Sequence, residues 1–218
     1  MQKTWWKILG SFLVVYTTVA GFLLEVPHLN ILNETIRNLY FHVPMWFSMI
    51  VLFSISIFYS VKYLSSKNEV DDLKAVEAIN TGIIFGVLGL VTGAIWAKYT
   101  WGQFWSSDPK QNFAAIAMLL YFAYLILRNA IDEEQKRAKI SAIYNIFAFP
   151  MMVVLLFVLP RLQSSLHPGN GGNPGFNSYD LDSRMRMVFY PACIGWIIIG
   201  YWIYSIRFRT RLLENKEL

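Results

Sequence analysis

Trp96-Ala-Lys-Tyr-Thr-Trp-Gly-Gln-Phe-Trp-Ser-Ser-Asp-Pro-Lys110 joins two runs, 78–97 and 111–127, that contain no Asp, Glu, Lys or Arg. Each run is long enough to cross ~30 Å of hydrocarbon at ~1.5 Å per helical residue. Three tryptophans, Tyr99, Phe104 and Asp108 therefore fall in a loop at a membrane surface. Working outward, four more charge-free runs of similar length appear at 8–24, 38–61, 140–160 and 187–206. Hydrophobic residues make up 56% of the chain and charged residues 15%, so most of its surface must tolerate lipid. The fold expected is all-α: a polytopic integral membrane protein of six transmembrane helices, about 8–24, 44–61, 78–97, 112–128, 141–160 and 187–206, in one domain, 1–218. An outer Trp-rich loop, 97–111, and an outer flexible loop, 161–186, complete it.

The basic residues orient the bundle. Sorted by alternating sides, thirteen of the 19 Lys and Arg residues fall with the two termini and six fall opposite. The positive-inside rule places both termini in the cytoplasm. The inner segments 62–77 and 128–139 are short and charged and read as solvated linkers. The first run resembles a signal peptide in having Lys3 and Lys7 ahead of it, but its end lacks a small-x-small cleavage site, so it is expected to remain as a helix. Cys193 is the single cysteine, which leaves no disulfide or Cys-x-x-Cys relay within the chain. The net charge of +5 is accounted for by the basic flanks of membrane helices, with no nucleic-acid partner required.

This sorting uses only lysines and arginines, yet it places His28, His42 and His167 on the outer side with the Trp-rich loop. Neutral imidazole is the usual protein ligand for haem iron. Two histidines from separate outer connections can approach one iron from opposite faces, and His42 and His167 suit this best, each lying near a proline. His42 is expected where the first outer loop enters its helix, just before Pro44, a natural first-turn residue. The alternative role of each is an interfacial hydrogen bond. Trp101 and Trp105, with Gly102 permitting close backbone approach, form either a shelf for a planar ligand or an aromatic anchoring belt. Trp96, expected to close its helix, reads as belt. Asp108 either caps the next helix or acts in ligand binding. Arg161, Arg184 and Arg186 either pair with carboxylates of a ligand or snorkel at helix ends. The turn-rich run 168–175 suggests a flap carrying His167. No phosphate-binding loop, HExxH or GxSxG motif is present, so ATP hydrolysis is not expected of this chain.

Trp101-Gly-Gln-Phe-Trp-Ser-Ser-Asp108 resembles the tryptophan-rich signature of the haem-handling proteins of cytochrome c biogenesis. Tyr40-Phe-His-Val-Pro44 resembles the histidine motif ahead of it, and Ser165-Leu-His-Pro-Gly169 the one after it. The order of motifs, six helices and about 220 residues are most similar to the cytochrome c maturation protein C (haem exporter protein C) branch. Ser107 stands at the third tryptophan of the signature, Lys110 where arginine is common, and Pro168 where glutamine usually follows the second histidine. The resemblance implies a haem-transfer assembly protein and not an enzyme. It implies haem b held transiently at the periplasmic face of the bacterial inner membrane, with His42 and His167 as axial iron ligands and Trp101, Gly102, Trp105 and Asp108 around it. It implies delivery to a periplasmic haem chaperone that serves apocytochrome c, and as partners the ATP-binding-cassette (ABC) transporter subunits and a small membrane peptide.

Two other classes fit six helices. A membrane electron-transfer cytochrome b subunit buries bis-histidine haem between spans, whereas only His42 lies in a charge-free run, at its outer edge. A transporter of haem or a small solute needs ionisable residues at mid-membrane, and apart from Cys193 and tyrosines the runs have none.

Overall fold

The computed structural model describes residues 4–28, 32–167 and 181–217. Six helices account for most of them: α1 (Trp5–Leu23), α2 (Leu39–Ser66), α3 (Glu69–Trp101), α4 (Pro109–Asn129), α5 (Glu134–Val153) and α6 (Ser183–Glu217). No strand occurs among the described residues, and all six helices are long and apolar enough to cross a membrane. An even number of spans returns the chain to its starting side, so the termini share the end that carries the 66–69 and 129–134 turns. The Trp-rich loop and the three histidines lie at the other end.

The helices run further into charged sequence than the charge-free runs indicate. The inner segment 62–77 is nearly all helix, with only Lys67 and Asn68 between α2 and α3. Asn68 caps α3 by accepting the Val70 N–H at 2.9 Å, and Glu69, Asp71 and Asp72 favour its positive end. The charges are tolerated because they are paired across helices. Lys62 Nζ lies 3.0 Å from Asp71, Arg128 grips Asp72 at 3.0 and 2.6 Å, and Arg207 Nε donates to Glu77 at 2.8 Å. Asp71 and Glu77 are buried, so this end is an ionic clasp where solvated linkers were expected.

Two features position the outer end. The first is the close approach of α2 to α3. A Cβ added at Gly89 would lie 2.7 Å from Trp46, and one at Gly93 would lie 2.7 Å from His42. Gly82, Gly86, Gly89 and Gly93 thus form a seam that receives Phe53, Met49, Trp46 and His42 in antiparallel order. The second is the outer end of α5, which widens into a π turn at Val154–Val158 and tightens into a 3-10 turn at Leu159–Leu162. Below them, Phe53 stacks on Tyr121 at 3.6 Å, and Asn145 donates to Ser56 and Ser60 at 2.9 Å each.

Helix α2 also starts earlier than expected. A 3-10 turn, Asn33–Asn38, leads directly into it, so His42 is the fourth residue of the helix and Pro44 stands beyond its first turn. Trp101 is the last residue of α3, and the Trp-rich loop contracts to residues 102–108.

Candidate functional site

An apolar cleft opens at the outer end between α2, α3, the start of α4 and the end of α5. It encloses about 1240 Å³ including its open mouth. His42, Trp46, Trp96, Trp105, Leu156 and His167 are among its walls, and Lys110 and Arg161 are its cations. The π and 3-10 turns bring Leu156, Phe157, Pro160 and Arg161 to one side of it.

His167 follows those turns and is held from behind by Asp108. The Nδ1 of His167 lies 2.8 Å from Asp108 Oδ1. The same carboxylate accepts the Lys110 N–H at 2.9 Å, the Leu166 N–H at 2.6 Å and the Ser165 hydroxyl at 3.0 Å. Asp108 therefore caps α4 and ties the segment after α5 to the Trp-rich loop. Burial raises the proton affinity of its carboxyl. The bonds from His167, Leu166 and Lys110 outweigh this and hold it well below the usual carboxylate range. An ionised carboxylate only accepts, so His167 Nδ1 carries a proton, and in the neutral ring Nε2 keeps the lone pair that a metal needs.

His42 adopts the same tautomer by different means. Thr92 Oγ1 donates its one proton to backbone carbonyl oxygen, Leu88 O at 2.7 Å, and so accepts from His42 Nδ1 at 3.2 Å. The His42 Nε2 lone pair in turn accepts the indole N–H of Trp46 at 3.3 Å. Trp96 packs edge-on against the His42 ring with centroids 6.0 Å apart, and its own N–H is taken by Thr35. The two imidazoles, far apart in sequence, face one cleft.

The description "Heme exporter protein C" belongs to a family model that matches residues 1–217. The chain belongs to the Heme exporter protein C family. It is 25% identical over 218 residues to Heme exporter protein C of Paracoccus denitrificans, covering 97% of this chain and 87% of that one. It is 26% identical over 185 residues to Heme exporter protein C of Bradyrhizobium diazoefficiens, covering 84% and 69%. A shorter match, 40% identical over 82 residues, is to Cytochrome c biogenesis protein CcsA of Prochlorococcus marinus, covering 38% of this chain and 26% of that one.

In this Heme exporter protein C family member, the residues singled out in the sequence occupy distinct places. Trp105 lines the cleft and is fixed by its indole N–H on Asn112 Oδ1 at 3.0 Å. Trp101 stands beside His167, edge to face at 5.0 Å between centroids. Gly102 has φ 81° and ends α3, with nothing within 4 Å of where its Cβ would be. Its glycine character is accounted for by that left-handed helix end and not by a close backbone approach. Arg161 faces the cleft, whereas Arg184 pairs with Glu25 and Asp182, and Arg186 donates to Leu181 O. His28 is exposed outside the cleft, near Asn33. The run 168–175 lies outside the described residues.

Trp46, Thr92 and Gln111 were not singled out in the sequence. The signal for Trp46 was its position four residues after His42, on the same helical face. Gln111 accepts both the N–H and the hydroxyl of Ser106 at 2.9 Å and donates to Phe104 O, clamping the Trp-rich loop onto α4.

Proposed function

We propose that this chain binds haem b in the outer cleft, with His42 and His167 as the two axial ligands of its iron, and passes it on for cytochrome c maturation. The observation that carries the reading is the shared tautomer. Each histidine has its Nδ1 proton engaged by an acceptor, Asp108 or Thr92, so both present Nε2 as the ligating atom. The cleft suits the group: it is apolar, open at its mouth, and walled by indoles able to pack on a porphyrin. Lys110 and Arg161 are the cations within it that suit the propionates. When bound, haem is the cargo and supplies the iron. The protein's own residues fix ring tautomers, exclude water and orient the macrocycle.

The location follows from charge. The cleft lies at the end with fewer basic residues, which supports the periplasmic face of the bacterial inner membrane. A periplasmic haem chaperone is then the recipient, and the transporter subunits and a small membrane peptide are the assembly partners. A transfer protein must release its cargo, so at least one of the two axial bonds must be reversible.

The test is titration of the detergent-purified protein with ferric haem. Wild type is expected to give the visible spectrum of a six-coordinate haem, and His42→Ala and His167→Ala each to lose it. Wild-type spectra in both variants would overturn the reading. Cysteines placed at 28 and 68 and probed in intact cells are expected to label from outside and not from outside, respectively. The reverse pattern would overturn the periplasmic assignment.

A further inference from the structure

The Nε2 of His42, the atom proposed to bind iron, is already occupied by a protein group. Trp46 donates its indole N–H to it at 3.3 Å, from one turn further along α2. The arrangement is built from both sides. Gly89 leaves the notch that admits the Trp46 indole, and Gly93 leaves the one that admits the imidazole. Thr92, between them on α3, accepts the Nδ1 proton and so directs the Nε2 lone pair toward Trp46. Trp46 also lines the cleft, which places this hydrogen bond at the wall where cargo enters. His167 differs. Its Nδ1 is drawn by a buried carboxylate that strengthens Nε2 as a donor to metal, and its ring neighbour, Trp101, contacts it edge to face.

We propose that Trp46 is a positioning residue that competes with iron for His42, making His42 the weaker and reversible of the two ligands. This deepens the haem-binding reading and rests on it. A lone pair cannot serve an indole N–H and a metal at once. Binding of haem by His42 therefore breaks the Trp46 bond, and release restores it. The site is thereby asymmetric: His167 is prepared for the iron, whereas His42 must give up a partner to reach it. A transfer protein gains from this, because the leaving step is assisted by a bond re-formed within the protein, and the empty site keeps His42 in the correct tautomer.

Two substitutions separate this role from packing. Trp46→Phe keeps an aromatic ring in the Gly89 notch and removes the donor. Haem is expected to leave it about five-fold more slowly than wild type, the factor an ordinary hydrogen bond supplies, measured by capture in excess apomyoglobin. Thr92→Val frees the Nδ1 proton and should act oppositely, giving faster loss. In the haem-free protein, the Trp46 indole N–H resonance should lie downfield in wild type and shift on His42→Phe, a readout independent of haem. Faster or unchanged haem loss in Trp46→Phe, with the six-coordinate spectrum intact, would overturn the competition and leave the binding site standing. Absence of a histidine-ligated spectrum from wild type would remove the binding site itself, and this inference with it.

Discussion

His167 and Asp108, 59 residues apart in sequence, meet at 2.8 Å between Nδ1 and Oδ1. The contact joins the connection after α5 to the cap of α4 and sets which ring nitrogen faces the cleft. Asp108 thus combines two of the roles open in the sequence, helix cap and site residue, by standing behind a candidate ligand.

Replacement of Asp108 by Asn keeps size and cap but removes the charge that fixes the His167 tautomer. Haem affinity is expected to fall about 10- to 100-fold, as for other carboxylates behind ligating histidines. Equilibrium titration with haem checks this, and helical content by circular dichroism should be unchanged.

The same carboxylate sets a pH window. Its pKa in the folded protein is depressed, so its contribution to stability is complete above the unfolded value of about 4 and is lost as pH falls through the folded value. The difference in thermal midpoint between wild type and Asp108→Asn, followed with pH, should therefore narrow only below pH of about 4 as far as Asp108 determines it.

Gly93→Ala should dislodge His42, since the added Cβ would lie 2.7 Å from its Cε1. The imidazole must shift to admit it. A destabilisation of about 1–3 kcal/mol is expected, with loss of the six-coordinate spectrum. Thermal unfolding and haem titration of one preparation measure both.

At the other end of the bundle, Asp72→Ala leaves Arg128 without its bidentate partner, in a pair whose side chains are each 14% exposed. The expected loss is about 3 kcal/mol, with the haem spectrum unaltered. A change in the spectrum would show that the inner clasp and the outer cleft are coupled.

The six spans and the gathering of histidines with the Trp-rich loop were legible in the sequence, because bilayer length and the lysine and arginine bias act on local composition. The helix ends at 66, 69 and 134 were not, since a charge-free run stops at the first ion while a helix continues through ions that find partners, as Asp71 does with Lys62. The Asp108–His167 pairing was hidden by its sequence separation. Each residue was singled out, but nothing local indicates that one holds the other. Trp96 read as an interfacial anchor, yet it stands against His42, because α2 and α3 approach along glycines whose alignment only the folded pair reveals.

The most direct measurement is the electron paramagnetic resonance spectrum of the ferric haem-loaded protein. Wild type is expected to show a low-spin signal of bis-imidazole ligation, converting to high spin in either His42→Ala or His167→Ala and returning on addition of free imidazole. A bis-imidazole signal that survives both substitutions would contradict the shared ligation by these two residues.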